Sequence, residues 1–259
     1  MHPSFNKRLI QLFFIAALII PINLFAQRSV KDSIIGTPWV GIQYGLNWTG
    51  GDLADRYGLI NHVGFLAGYK TNKNWIYGVD ANFMFGNQVR MTGLFDHLAD
   101  SKGIINDING DIAIIQVAFR GYNVNATVGK IFPVLSPNNN SGIYIHAGVG
   151  YLAYKARIET QDHVVPQLEL DYKKGYDRYT SGINLHQFIG YAFMANQGAL
   201  NFYGGFYIQE GLTQNRRKVF FDQPDSPVPT NTRLDLQYGF KVGWLIPIYK
   251  RLPKSYYYN

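Results

Sequence analysis

Arg233-Leu234-Asp235-Leu236-Gln237-Tyr238-Gly239-Phe240-Lys241-Val242-Gly243-Trp244-Leu245-Ile246-Pro247-Ile248 is the stretch on which the fold turns. Leu234, Leu236, Tyr238, Phe240, Val242, Trp244, Ile246 and Ile248 fall at every second position. Between them stand Arg233, Asp235, Gln237, Gly239, Lys241 and Gly243. Side chains on a strand point alternately to opposite faces, so this segment has one wholly apolar face and one carrying charges and glycines.

The same alternation recurs upstream. Val40, Ile42, Tyr44, Leu46 and Trp48 oppose Gly41, Gln43, Gly45 and Asn47, and Val63, Phe65, Ala67 and Tyr69 oppose Gly64, Gly68 and Lys70. Trp75, Tyr77, Val79, Ala81, Phe83 and Phe85 oppose Gly78, Asp80 and Asn82. Ile145, Ala147, Val149 and Tyr151 oppose His146, Gly148 and Gly150, and Ile183, Leu185 and Ile189 oppose Asn184, His186 and Gly190. Between 114 and 132 the phase changes, from Ile115, Val117 and Phe119 on odd positions to Tyr122, Val124, Ala126 and Val128 on even ones. A bulge at Arg120-Gly121 is expected there. The pattern predicts eight strands, at 38–48, 62–70, 75–90, 114–132, 143–158, 182–195, 199–212 and 233–248.

The connections sort by side. Thr71-Asn72-Lys73-Asn74, the Ser136–Gly142 stretch and Asn196-Gln197-Gly198 are compact and built from turn residues. The links after strands one, three, five and seven are longer, roughly 13 to 25 residues. An even strand number with strictly alternating short and long links predicts an all-β, antiparallel, up-and-down transmembrane β-barrel, with short periplasmic turns, longer extracellular loops and both mature termini in the periplasm. Hydrocarbon offers no water to an open sheet edge, so a spanning sheet has to close. Trp39, Trp75 and Trp244 then fall at the inner interface and Trp48 at the outer one, where amphipathic rings are favoured. A soluble β-sandwich also alternates, but it does not sort its connections by side.

With eight strands the interior is filled by its own side chains. Gln43, Lys70, Asp80, Asn82, His146, His186, Arg233, Asp235 and Lys241 are the expected polar plug, in which the charges pair or hydrogen-bond because a lone buried charge is costly. A narrow channel is the alternative.

Lys7 and Arg8 precede an apolar run from Leu12 to Ile20, and the segment ends Leu24-Phe25-Ala26-Gln27. These are the parts of a secretory signal peptide, with cleavage expected after Ala26 and residues 27–259 forming the barrel domain. A retained signal anchor is the rival, disfavoured because the run is short for a membrane-spanning helix. Composition agrees with an exported barrel: charged residues are 16% and aromatics 15%, with 19 Tyr and 27 Gly. Cysteine is absent, which excludes disulfides, zinc-thiolate sites and thiol nucleophiles. The formal charge of +7 is not gathered into any dense basic cluster, so nucleic acid is not an expected partner.

Several segments carry a resemblance. The Leu24-Phe25-Ala26-Gln27 signal end, Gly50-Gly51-Asp52-Leu53-Ala54-Asp55-Arg56-Tyr57-Gly58 after strand one, Lys173-Lys174-Gly175-Tyr176-Asp177-Arg178, and Arg233–Phe240 opening the last strand look like a Bacteroidota-type version of the small eight-stranded outer-membrane barrels of the OmpA/OmpX-like group. The sequence departs from common endings of that group by running on to Tyr256-Tyr257-Tyr258-Asn259. The resemblance implies a bacterial outer-membrane location and a role as adhesin, anchor, accessory subunit or, occasionally, lipid-modifying enzyme; fold alone does not choose among these.

A hydrolase would need a serine with a histidine base and an orienting carboxylate. Ser181 and His186 are five apart on one strand, hence on opposite faces, and no motif joins Ser101 to His62, His97 or His163. No enzyme activity, metal or cofactor is expected. The loops are more suggestive. Lys173, Lys174 and Arg178 stand beside Tyr176, and Arg216, Arg217 and Lys218 precede Phe220 and Phe221. Cations at the outer interface suit lipopolysaccharide phosphates, and exposed rings suit a protein contact. The expected role is therefore structural or accessory, with outer-membrane lipid, lipopolysaccharide and an envelope protein as partners, for example within an assembly or secretion machine. A small-solute channel or stand-alone surface binder is the other reading.

Overall fold

The computed structural model describes residues 34–195 and 200–248. Eight strands form a closed barrel in which each pairs antiparallel with its sequence neighbours and the last closes on the first. They are β1 (Thr37–Gly51), β2 (Ile60–Lys70), β3 (Trp75–Gly86), β4 (Gln116–Phe132), β5 (Gly142–Glu159), β6 (Thr180–Met194), β7 (Asn201–Asn215) and β8 (Arg233–Pro247). Closure runs from Trp39 opposite Pro247 to Gly51 opposite Asp235 without a break in register. The strand ends define loops L1 (52–59), L2 (87–115), L3 (160–179) and L4 (216–232) at one end, and turns 71–74 and 133–141 at the other. The signal segment 1–26, Asn196-Gln197-Gly198 and the C-terminal tyrosines lie outside the described residues.

In β8 the alternation is realised side chain by side chain. Asp235, Gln237, Lys241 and Leu245 are buried, whereas Leu234, Tyr238, Phe240, Val242, Trp244 and Ile246 are exposed on the outer wall. Ile42, Phe65, Val79, Val124, Val149, Ile189 and Phe206 continue that exposed apolar surface around the barrel. The buried class of the protein is thus rich in Asn, Gln and His, and the exposed class in Val, Ile, Phe and Tyr. Water would penalise such an arrangement, and hydrocarbon favours it. The strands run from 11 residues in β2 to 18 in β5, against ~9–11 needed to cross a bilayer. The surplus in β4 and β5 carries charged outward residues, Arg120, Lys155 and Arg157, on the loop side of the apolar belt.

Besides shifts of up to three residues at other strand ends, such as β1 running to Gly51 and β7 to Asn215, the structure departs from the sequence pattern at three places. No bulge interrupts β4: its pairing with β5 is continuous from Gln116 opposite Glu159 to Phe132 opposite Ile143. Phe119 simply points inward and is fully buried, because the loop end of the lumen is apolar. Trp39 also points inward, packed with Leu66, Ile76, Tyr144, Phe188 and Leu245, so only Trp48, Trp75 and Trp244 present rings to the outside. Finally, β3 ends at Gly86 rather than 90. Residues beyond it turn to L1, where Gly58 N–H donates to Gln88 O at 2.8 Å and Tyr57 bridges Val89.

The lumen is therefore layered. An apolar cluster around Trp39, Phe188, Tyr203 and Leu245 fills the turn-end half, and a second around Leu53, Tyr57, Met84, Phe119 and Tyr154 fills the loop-end mouth. Polar residues form a band between them. Lumen glycines make room for rings: a Cβ on Gly243 would lie 2.3 Å from Tyr203 Cε1, and one on Gly45 would lie 2.1 Å from His62 Cε1.

Candidate functional site

The polar band is a network of short amides. Gln43 Nε2 donates to Asn82 Oδ1 at 2.5 Å, and Asn82 Nδ2 reaches Asp80 Oδ1 at 2.5 Å and Asn123 Oδ1 at 2.7 Å. Asn125 Nδ2 donates to Asp80 Oδ1 at 2.9 Å, and Asn184 Nδ2 to Asn125 Oδ1 at 2.8 Å. Tyr203 hydroxyl donates to Gln43 Oε1 at 2.5 Å. Asp80 is thus held by amide donors rather than by a cation, while the Lys241 ammonium sits 4.0 Å over the Tyr207 ring. A cavity of about 20 Å³ touches Gln43, Asp80, Tyr144, His146 and Tyr203, room for about one water.

The two histidines of the expected plug, His146 and His186, are not joined to this amide network. His146 lies flat on Phe188 at 4.7 Å, with Nδ1 unbonded, and neither ring nitrogen of His186 has a partner among the described residues. Lumen glycines seat these rings among aromatic neighbours, so packing holds them. Lys70 belongs to a different layer, at the turn end. Its ammonium donates to Ile35 O at 3.1 Å and Asn140 Oδ1 at 2.7 Å.

Arg233 and Asp235 lie at the opposite end. Arg233 donates to Thr180 Oγ1 at 3.0 Å and Asn215 Oδ1 at 2.9 Å. Asp235, fully buried, does not pair with Lys241. Its partner is Arg56, brought in by L1, with Nη2 at 2.9 Å from Oδ1. The hydroxyls of Tyr154 and Thr213 each donate to Asp235 Oδ2 at 2.5 Å. L1 folds into the mouth because Leu53 and Tyr57 enter the apolar cluster there, and Leu234 N–H donates to Asp52 Oδ2 at 2.8 Å. The loop closes the barrel like a stopper. Arg56 was within a segment singled out by its sequence, but nothing in the sequence placed it opposite Asp235.

L2, L3 and L4 build a further layer beyond the mouth. Ile158, Val165, Leu168 and Tyr176 form a small core, against which Phe95, Leu98, Ile105, Ala113 and Ile115 of the L2 region pack. Of the loop residues singled out by sequence, several are consumed in holding this layer together. Tyr176 is buried and its hydroxyl meets His97 Nε2 at 2.8 Å. Arg178, at φ 51°, lies 3.6 Å over the Phe220 ring and is ion-paired to Asp222. Arg217 grips Asp177 with two bonds, 2.8 and 2.6 Å, and those bonds hold its guanidinium more firmly protonated than usual. Arg216 donates to Ser181 Oγ at 2.8 Å, and Phe221 N–H to Gly175 O at 3.1 Å. Lys173 and Lys174 pair locally with Glu169 and Asp171, and Lys218 is exposed. Asp177 stands within a segment the sequence singles out, but neither its pairing with Arg217 nor Asp222 is legible there, because acids in loops carry no periodic signal.

Among the described residues, no group of three or more His, Asp or Glu side chains is arranged to hold a metal ion. His163 faces Asp107 at 3.2 Å and His97 faces the Tyr176 hydroxyl at 2.8 Å.

A closed eight-stranded antiparallel barrel with an apolar outer belt, a polar interior and loops gathered at one end defines an integral β-barrel of the outer-membrane type. Solved structures to which the chain is similar are small barrels of that type. Neisserial surface protein A is 12% identical, with 81% of this chain and 98% of that one covered and a TM-score of 0.42. The attachment invasion locus protein Ail of Yersinia pestis, solved with the heparin analogue sucrose octasulfate, is 13% identical, with 82% and 99% covered and a TM-score of 0.39. OprG of Pseudomonas aeruginosa is 10% identical, with 85% and 99% covered and a TM-score of 0.37. No protein-family model and no curated protein matches the sequence. The class rests on the barrel's own closure and surface.

Proposed function

We propose that the chain is a non-enzymatic structural or accessory protein of the bacterial outer membrane, of the Bacteroidota type its motifs resemble, with both termini periplasmic. Its extracellular loops contact an envelope protein or lipopolysaccharide, as in one subunit of an assembly or secretion machine. The observation that carries this reading is the loop layer. L2 and L3 share a core and L4 is locked to L3 through the Arg217–Asp177 and Arg178–Asp222 ion pairs, yet Ile108, Ile112 and Ile114 of L2 and Val164 of L3 are left at least half exposed. Ile108 N–H donates to Val164 O at 3.0 Å, so these apolar groups belong to one stiff surface. A rigid, partly apolar platform in water is suited to a protein contact.

The test is extraction in mild detergent, affinity purification and mass spectrometry, for the native sequence and for a variant carrying Ile112→Asp and Ile114→Asp. A stoichiometric partner that disappears with the variant supports the reading, and recovery of the barrel alone from both overturns it. The stopper at the mouth and the filled lumen weigh against a small-solute channel. Steady conductance in planar bilayers, altered by substitution of Lys241 or Asp80, would revive it.

A further inference from the structure

Arg120 and Lys155 stand directly opposite each other across β4 and β5, both pointing outward. Cross-strand partners have Cβ atoms about 4.5–5.5 Å apart, and like charges so placed repel. Neither cation is ion-paired among the described residues: the seven ion pairs found there involve other groups. Arg120 spends one N–H on the carbonyl of Phe119 at 2.8 Å, which leaves most of its fork free. An unrelieved like-charge pair within a regular ladder, near its loop end, calls for an anion that the chain does not supply.

The surroundings give that anion a shape. The two cations border a pit of about 350 Å³ whose wall also includes Phe83, Tyr122, Tyr179 and Arg217, and which has no carboxylate in its lining. Its floor is Ala153, an outward position that is nonetheless 1% exposed because larger groups close over it. The Tyr179 hydroxyl at the rim is pushed up to about 12, by burial first and by the neighbouring Tyr122 and Tyr151 hydroxyls second. Below the pit, along the same two strands, the outward residues are Tyr122, Val124 and Ala126 on β4, and Tyr151, Val149 and Ala147 on β5. The cations therefore sit one outward position above Tyr122 and two above Tyr151, and aliphatics lie beneath. Lipid phosphates lie at that height, with acyl chains below.

We infer that this pit is a binding site for the phosphate of an outer-leaflet lipid, held between Arg120 and Lys155 with its chains along the Tyr122–Ala126 and Tyr151–Ala147 faces. The inference rests on the loops-outward orientation proposed above but uses none of the loop-tip residues, so partner capture by L2 and lipid capture by the wall fail separately. Free phosphate shares the charge chemistry. The apolar track beneath the cations favours the lipid as its source.

The experiment measures retention of diphosphoryl lipid A by the folded full-length protein in mixed micelles, using native mass spectrometry and titration. Folding is followed by electrophoretic mobility without heating. Arg120→Gln with Lys155→Gln should weaken binding about tenfold or more. Lys102→Gln with Lys218→Gln, the same charge change on exposed loops, should leave it unchanged. Each single wall substitution should weaken it about threefold, which keeps the test open if the double variant fails to fold. Dephosphorylated lipid should bind no better to the native protein than to the wall variant, and millimolar inorganic phosphate should not displace lipid A. Equal retention by native and wall variants would overturn the site, as would equal binding of dephosphorylated lipid. Displacement by inorganic phosphate would overturn the lipid as its source.

Discussion

Arg56 of L1 and Asp235 of β8 meet 2.9 Å apart across the mouth of the barrel, the carboxylate fully buried and the guanidinium nearly so. Removing one partner leaves a buried charge alone, at a cost of about 3–5 kcal/mol. Arg56→Ala is therefore expected to lower the denaturant midpoint of the refolded barrel and to free L1. Protease cleavage within 52–59, absent in the native protein, is the measurement. Arg56→Lys should recover only part of the effect, because Arg56 Nη2 also donates to the Tyr154 hydroxyl at 2.7 Å.

Gly243 gives the second prediction. Gly243→Ala drives a methyl against Tyr203, whose hydroxyl is tied to Gln43. Overpacking of this kind costs about 1–3 kcal/mol. The cost should shrink when Tyr203→Leu is present as well, since the two sites share one contact. A double-mutant cycle from denaturant midpoints reads this directly, and additive losses would show that the glycine serves some other purpose.

These two sites mark what the sequence made legible. The face assignment of β8 could be read because lipid and lumen impose opposite chemistries at alternate positions, and Asp235, Gln237 and Lys241 are buried there. The partners within the plug were not legible. Asp235 meets a cation from L1, Lys70 meets a carbonyl and an amide, and Asp80 meets only amides, because shear around the barrel decides which lumen residues share a level. Phe119 and Trp39 misled for a single reason. Both ends of this lumen are apolar, so hydrophobicity there does not mean outside.

The grip of Arg217 on Asp177 joins L4 to L3. Asp177→Asn is expected to weaken it by about 1–2 kcal/mol, given its partial exposure. Limited proteolysis should then cut 216–232 several times faster, while the barrel's own denaturation midpoint stays put. A falling midpoint would mean that the loop layer and the barrel unfold as one unit.

Asp107 anchors the hairpin of L2. Partial burial would raise its carboxyl, but hydrogen bonds from His163 and from the backbone N–H groups of Asp111 and Asn109 outweigh this and hold it below the usual carboxylate range. A depressed carboxylate contributes stability fully above its unfolded value, about 3.9, and loses it as pH falls through the lower folded value. The Ile108 amide, bonded to Val164, should therefore exchange slowly at pH 5, and its protection should fall on acidification below about pH 4. Asp107→Asn should abolish that dependence. Protection unchanged down to pH 2 would show that the apolar contacts of L2 suffice.

The overhang of β4 and β5 has a mechanical meaning. From Tyr151 to Glu159 the ladder continues for roughly 25 Å of paired backbone past the last aromatic of the belt, measured along the strand. The loops thus ride on a stiff pedestal, not on tethers. A visitor could dock on their crown without wading into the sugar-and-phosphate layer, and force applied there would pass straight into the wall of the cylinder.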